Sequence, residues 1–230
     1  MYNDPLLQSA ARKTRSKSGL AYEVLRSAII SLKLQPGARI DKAEICERMG
    51  LSRQPLSEAL ARLAEERLVT VEPQKGTYIT RISLGDVEEA AFVREALEAA
   101  TVRRVAPHID DATLDRLRLL VDYQTAAAAA HDYEEFYLLD VRFHAALFAR
   151  LAQRRVAEVV ESARAHTERM RRLLVPTDRN PATIVEHSAI LAALARRDGD
   201  AAAEAMRAHL GNVLTDLHKF AAERPELFAP

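Results

Sequence analysis

Apolar side chains in the first third of the chain recur at helical spacing in three short segments. The first carries Leu25 and Ile29 and ends at a proline–glycine turn, because neither residue type supports a continued helix. The second runs to Gly50, a residue type that often terminates helices, and the third begins at Ser52, a residue type that favours a helix N-terminus. The buried stripe of the third helix is expected to comprise Leu56, Leu60 and Leu63.

After the third helical segment, the apolar side chains no longer recur at helical spacing. Residues 68–71 and 77–80 are strand-like runs, and the segment between them contains the proline and glycine of a tight loop. Three short helices followed by a hairpin is the layout of a winged helix-turn-helix, which we predict for residues 19–80.

After a short linker predicted at residues 81–85, every segment has helical periodicity. The short loops between segments indicate a mostly antiparallel bundle. The predicted fold class is therefore mainly α, with a C-terminal all-α six-helix bundle at residues 86–222, a flexible arm at 1–18 and a tail at 223–230. The six helices are predicted at residues 86–106, 111–130, 132–152, 155–174, 181–197 and 199–221.

Composition narrows the class of protein. The 230 residues are 48% hydrophobic and 29% charged, and they include only 7 Gly and 9 Pro, which favours helix over a β-sandwich or a disordered chain. The single cysteine, Cys46, excludes an internal disulfide framework and a Cys-rich zinc module. No apolar run approaches the roughly 18 residues of a bilayer span. No signal peptide is visible either, so we expect a cytoplasmic protein with no membrane partner.

The charge pattern and the third predicted helix, which would be the recognition helix of a helix-turn-helix, indicate binding to nucleic acid. The net charge is zero, but residues 1–80 carry a basic excess that the remainder balances with acidic residues. Arg53 and Ser57 share a helix face with Gln54 beside them, and Arg and Gln side chains can read guanine and adenine in the major groove. Such residues on a helix face are also often merely solvated. The predicted contacts to double-stranded DNA are Arg39, Ser52, Arg53, Gln54, Ser57, Lys75, Gly76 and Thr77.

Four potential metal ligands lie at the edges of apolar stripes in the predicted bundle. Asp140 and His144 are four residues apart and so share one helix face, while His187 and His209 lie on the fifth and sixth helices. Inward-pointing polar groups need partners, and a shared divalent ion would satisfy all four. We favour Zn²⁺, with Ni²⁺, Mn²⁺ or Co²⁺ as alternatives. Buried histidines that only form hydrogen bonds are the competing interpretation.

The N-terminal pattern resembles a known family of bacterial regulators. Residues 34–40 and 51–60, with Gly76-Thr77, are similar to the N-terminal domain of the GntR family, over about residues 20–80. That family commonly has arginine at the position of Ser57, and an arginine there typically contacts DNA. The resemblance therefore implies DNA binding, with an operator preference that differs from that of relatives.

The C-terminal motifs resemble the FCD effector domain of the FadR subfamily, in its six-helix VanR-like branch. They are Asp140-Val-Arg-Phe-His144, Glu186-His187 and residues 205–210, and the resemblance covers about residues 86–220. In that family a metal lies under a cavity that takes a small carboxylate. The resemblance implies Arg94 as an effector contact, and Tyr137 is expected to line the same cavity. Pairing of Arg94 with Glu98 on the surface is the alternative.

The resemblance implies a metabolite-responsive transcriptional regulator, most often a repressor, and not an enzyme. It would act as a homodimer on a palindromic operator and respond to a small organic acid. A metal-dependent hydrolase using the same aspartate and histidines is the alternative from another class. It is disfavoured because no Glu-centred zinc-protease motif is present and a DNA-binding domain has no role in it. A helical DNA architectural protein, with the histidines as core, is the third interpretation.

Overall fold

The computed structural model of the chain describes residues 16–149, 154–173, 179–223 and 228. It divides into two compact units, the first built mainly from residues up to Ser83 and the second mainly from Leu84 onward. Most of the predicted arm at residues 1–18 and of the predicted tail at 223–230 lies outside the described residues. In the part of the chain that is described, no helix has the combination of length and apolarity that crossing a bilayer requires.

The N-terminal unit contains the predicted order of three helices and a hairpin. Its two strands are antiparallel, with Val69 opposite Ile79 and Glu72 opposite Gly76. The winged helix-turn-helix fold is thereby confirmed. Its elements are α1 (Lys17–Ile30), α2 (Lys42–Met49), α3 (Arg53–Glu65), β1 (Val69–Glu72) and β2 (Gly76–Ile79).

Local signals in the sequence set the ends of α2 and the packing of α3. The Asp41 side chain accepts hydrogen bonds from the amides of Ala43 and Glu44 at 2.9 and 3.0 Å, which caps α2 at its start. Gly50 ends the helix in a left-handed conformation, φ 61°, which glycine adopts without strain. The predicted leucine stripe of α3 is buried. Its members are Leu56, Leu60 and Leu63.

A polar clamp joins α1 to the C-terminal end of α3. The Tyr22 hydroxyl donates a hydrogen bond to Glu66, and Arg26 pairs with the same carboxylate at 2.9 Å. The guanidinium of Arg62 lies 3.6 Å from the centre of the Tyr22 ring. Burial and the Glu66 hydrogen bond raise the pKa of Tyr22 to about 12, so the phenol stays protonated. The clamp fixes the orientation of α3 on the first helix.

The C-terminal unit consists of helices apart from one short 3₁₀ turn, over the residues described. Six helices are present there, as predicted, and the first begins at Leu84, inside the predicted linker at residues 81–85. The helices are α4 (Leu84–Val105), α5 (Asp111–Ala129), α6 (Tyr133–Phe148), α7 (Arg154–Leu173), α8 (Asn180–Ala195) and α9 (Gly199–Glu223).

Five of these helices, α4, α5, α6, α8 and α9, contribute to a common apolar core. Helix α9 packs against α4 and α8, and α5 packs against α6 and α8. The start of α9 approaches the end of α4 so closely that a Cβ atom on Gly199 would lie 2.5 Å from the Arg103 carbonyl oxygen. Glycine is therefore required at that position. Buried core residues include Val102, Leu117, Phe136, Leu139, Phe143, Ile190, Leu194 and Met206.

Candidate functional site

Four predicted ligand side chains converge in the interior of the bundle. Asp140 and His144 come from α6, His187 from α8 and His209 from α9, and all four are buried. One ligand atom from each lies within 4.8 Å of the others. Asp140 Oδ1 is 4.0 Å from His144 Nε2 and 3.6 Å from His187 Nε2. The sequence spacing thus corresponds to a real cluster of three imidazoles and one carboxylate.

Each imidazole of the cluster is held through its Nδ1 atom by a side-chain oxygen. An Nδ1–H that donates to such an acceptor leaves Nε2 unprotonated in the neutral ring, which is the form that binds metal. Nε2 of His144 has no hydrogen-bond partner among the described residues. The three pairs are His144 with Glu98, His187 with Gln124 at 2.9 Å, and His209 with Glu186 at 2.7 Å.

Charge in this interior favours neutral histidine beside ionised carboxylate. Burial lowers the pKa of His144 to about 4, although Glu98 acts in the opposite direction. Burial raises the pKa of Glu98, but Arg94 and His144 outweigh it and hold that pKa well below its ordinary value. Glu98 is therefore an ionised acceptor at neutral pH and His144 a neutral donor.

The buried side chain of Arg94 stabilises the pair of Glu98 and His144 by binding Glu98. Its side chain is 3% exposed, its Nε donates to Glu98 Oε1 at 2.8 Å, and its Nη1 donates to Thr167 Oγ1 at 3.3 Å. The pair between Arg94 and Glu98 thus forms in the interior and not on the surface. Contact of Arg94 with an effector stays a prediction.

A second set of polar groups holds the carboxylate that orients His209. Arg179 donates to both oxygens of Glu186, at 2.9 and 3.1 Å, and to Asp216 at 2.7 Å. Asn212 Nδ2 also donates to Glu186, at 2.9 Å. Burial raises the pKa of Glu186, but its hydrogen bonds with His209 and Asn212 outweigh this effect and hold the pKa below its ordinary value. The carboxylate is therefore ionised. The position of His209 is therefore fixed by a charged network.

Neither Glu98 nor Gln124 was predicted from the sequence to orient a histidine of the cluster. Both lie on the buried faces of their helices, among apolar neighbours such as Val102 and Leu120. A polar residue at a core position is the signal that could have found them, since buried polar groups need partners. Spacing alone could not have paired them, because 46 residues separate Glu98 from His144 and 63 separate Gln124 from His187.

The first turn of α3 exposes most of the side chains expected to contact DNA. Arg53, Gln54 and Ser57 are exposed, and the Ser57 hydroxyl donates to the Arg53 carbonyl at 2.9 Å. Ser52 occupies the N-cap position, but its side chain makes no capping hydrogen bond. The amides of this turn are the kind of group that binds a phosphate.

The predicted DNA contacts in and beside the hairpin differ in how exposed their side chains are. Lys75 is exposed at the tip, and Arg39 is exposed and pairs through its backbone with Tyr78. Gly76 has φ 134°, and a Cβ atom there would lie 3.0 Å from Arg39 Nε, so glycine lets this arginine approach the wing. The Thr77 side chain is only 1% exposed and faces the interior, so it is not part of the exposed tip.

A winged helix-turn-helix followed by a separate helical domain defines a class of DNA-binding regulators. The chain belongs to the GntR family: residues 18–79 match the family described as "Bacterial regulatory proteins, gntR family", and residues 89–212 match the FCD domain. Family, fold class and the assignment as a regulator rather than an enzyme are therefore confirmed.

Relatives and solved structures agree with this assignment. The chain is 36% identical to an uncharacterized HTH-type transcriptional regulator in an unstable DNA locus of Streptomyces ambofaciens, over 90% of this chain and 88% of that protein. It is 31% identical to the HTH-type transcriptional repressor RspR of Escherichia coli, over 90% and 92%.

Among solved structures, a putative transcriptional regulator GntR from Rhodococcus sp. RHA1 matches with TM-score 0.76 and 25% identity, over 89% of this chain and 99% of that one. The E. coli protein McbR/YncC shares the fold, with TM-score 0.80 and 20% identity over 90% and 99%.

Proposed function

We propose that the protein is a metabolite-responsive repressor whose operator affinity is set by a small carboxylate bound at a divalent metal. The observation that carries this proposal is the convergence of three histidines, each held through Nδ1, with a buried aspartate. The named repressor RspR, which matches over most of its length, supports the repressor assignment.

The donor set fits a divalent metal. Asp140, His144, His187 and His209 supply one oxygen and three nitrogens, which suits Zn²⁺ and also Ni²⁺, Co²⁺ or Mn²⁺. When bound, the metal supplies a positive centre to which a carboxylate can coordinate. The histidine and aspartate side chains hold the ion, and Glu98, Gln124 and Glu186 orient the imidazoles. Arg94 and Tyr137 are proposed to contact the effector.

The proposed operator contacts come from α3 and from the wing. Exposed Arg53 and Gln54 are suited to reading base edges, and Ser52 and Ser57 to binding the backbone. Arg39, Lys75 and Gly76 would contact flanking DNA, whereas Thr77 supports the wing from inside because its side chain is buried.

A homodimer is the proposed functional form, acting on operator DNA in the cytoplasm. Two recognition helices about 34 Å apart would read the half-sites of a palindrome. The effector changes operator affinity only if it binds the two states of the dimer with different affinity. The proposal therefore requires reciprocal coupling, in which operator DNA also weakens effector binding.

The test uses DNA fragments that the purified protein enriches from genomic DNA. Fluorescence anisotropy would measure operator binding by zinc-loaded protein while a panel of small carboxylates is titrated in at fixed ionic strength. We expect at least one carboxylate to release the operator from wild-type protein and to have no effect on His209→Ala. Release that is equal in both proteins, or no release by any member of the panel, would overturn the proposal.

A further inference from the structure

One face of helix α4 is exposed along most of its length, and it carries a large aromatic side chain. Phe92 is 74% exposed, more than any other large apolar residue in the part of the chain that is described. Ala96 and Ala100 follow it at intervals of about one helical turn and are exposed as well. A single exposed apolar residue is normal on a protein surface and requires no partner. The stripe to which Phe92 belongs, however, is regular enough to contact a second helix.

The ends of this α4 stripe carry opposite charges. Glu89 lies near the start of α4 and Arg103 near its end, and both side chains are exposed. At 3.6 residues per turn, all members of the stripe project within about 40° of one direction. The members are Glu89, Phe92, Ala96, Ala100 and Arg103. The stripe is therefore acidic at one end, basic at the other and apolar between them.

The members of the α4 stripe are arranged symmetrically about Ala96. Phe92 and Ala100 lie four residues to either side of it. Glu89 and Arg103 lie seven residues to either side. Two identical helices that pack antiparallel across a two-fold axis pair residues that are equidistant from that axis. With the axis at Ala96, each Phe92 would meet Ala100 of the other copy. Each Glu89 would meet Arg103 of the other copy, so that opposite charges pair at both ends.

The small side chains at the centre of the stripe suit close contact between two helices. Alanine at positions 96 and 100 lets two helix axes approach to about 8 Å, the short end of the usual range, and leaves room for the ring of Phe92. In a parallel arrangement Glu89 would face Glu89 and Arg103 would face Arg103. Because like charges in contact are unfavourable, the charge pattern selects the antiparallel arrangement.

Contacts with α9 hold both ends of α4 and leave the stripe exposed. Arg103 Nε pairs with Asp200 at 2.8 Å, and His218 Nε2 lies 2.9 Å from Glu88 Oε1. Such exposed ion pairs contribute little stability. A guanidinium has five N–H donors, so Arg103 can bind Asp200 and a second carboxylate together. The ion pair within the chain is therefore compatible with a second one between two copies.

We propose that the α4 stripe is the surface on which a second copy of this chain docks, as an antiparallel helix pair centred on Ala96. This inference rests on the proposed homodimer and deepens it by assigning the helix and its register. The opposite, buried face of α4 carries Arg94 and Glu98, which support the cluster of Asp140 and three histidines. A single helix thus connects that cluster with the partner subunit.

The test measures the dimer Kd of the full-length protein by sedimentation equilibrium. Phe92→Ser removes the most exposed apolar side chain of the stripe, and we expect it to raise the dimer Kd about tenfold or more. Val185→Ser is the matched control, because Val185 is 69% exposed on α8, and its Kd should stay within about twofold of wild type. Glu89→Arg should also raise the Kd, and adding Arg103→Glu to it should return the Kd toward the wild-type value.

A cysteine at the proposed two-fold axis tests the register directly. Cys46 is the single cysteine of the chain, so Cys46→Ser provides a background without thiols. In that background Ala96→Cys should form a disulfide-linked dimer on mild oxidation, because two residues on the axis face each other at short range. Val185→Cys in the same background should stay unlinked.

The outcomes separate this interface from the proposed function. Wild-type protein that is monomeric both free and on operator DNA would overturn the homodimer and the interface together. A wild-type dimer that Phe92→Ser and Glu89→Arg leave unchanged, with no disulfide through Ala96→Cys, would overturn the interface alone. Slow reaction of Ala96→Cys with a soluble thiol reagent in monomeric protein would show that the same chain covers the stripe, which also overturns the interface.

Discussion

Replacing Glu98 by glutamine tests how the cluster of Asp140 and three histidines is supported, more sharply than removal of one of its four members does. The two carboxylate oxygens of Glu98 serve two buried partners: Oε1 accepts from Arg94 at 2.8 Å and Oε2 pairs with His144 Nδ1. A carboxamide has only one acceptor oxygen, so Glu98→Gln must lose one of the two interactions. It also removes the counter-charge of Arg94, although the side chain keeps its shape.

The loss of stability expected for Glu98→Gln follows from the burial of its ion pair. Arg94 is 3% exposed and Glu98 is 1% exposed, and removing one partner of a buried ion pair costs about 3–5 kcal/mol. We expect metal-free Glu98→Gln to unfold more readily by about that amount. Loss of a group that orients a metal-binding histidine typically weakens metal affinity about 10- to 100-fold, or about 1.4–2.8 kcal/mol.

Two assays separate stability from metal binding. Urea unfolding of the metal-free protein gives the free energy of unfolding, and competition with a chelator gives the zinc affinity. The double variant Arg94→Met with Glu98→Gln also removes the buried charge of Arg94 that Glu98→Gln alone leaves unpaired. It should therefore recover stability but not zinc affinity. Zinc affinity of Glu98→Gln within twofold of wild type would refute the role assigned to Glu98.

Three other predictions concern the DNA contacts, the cluster and the clamp. Arg53→Ala should weaken operator binding at fixed salt by about 1–3 kcal/mol without changing metal content; unchanged binding would show that the recognition helix is wrongly assigned. His209→Ala should lower zinc affinity in chelator competition and abolish the effector response, and a normal effector titration would exclude a shared site. Tyr22→Phe should destabilise the protein in urea unfolding, and because folding raises the pKa of this phenol, the difference from wild type should shrink as pH rises from 10 to about 12. A difference that is constant with pH would contradict the clamp.

Local patterns were enough to predict most of the fold. The buried stripe of Leu56, Leu60 and Leu63, the left-handed Gly50 and the position of Ser52 all follow from rules that act within a few residues. Even Thr77 carries a local signal, because it shares a strand face with buried Ile79 and alternation alone indicates burial. Thr77 was predicted as a DNA contact together with Lys75 and Gly76, although its place in the strand period indicates the buried side chain that is observed.

The candidate site could be predicted only in part. Asp140 and His144 share a helix face, and an inward position for each histidine follows from the apolar neighbours on its own helix. Which side chains hold them depends on how distant helices pack, and nothing in the spacing connects α4 with α6.

We propose above that the four converging side chains form a metal centre. The most direct measurement is elemental analysis of zinc-loaded protein after exhaustive dialysis against metal-free buffer, for wild type and for His187→Ala. We expect one zinc ion per chain in the wild type and loss of that ion in the variant. Absence of stoichiometric metal from well-folded wild-type protein, or equal retention by His187→Ala, would contradict it.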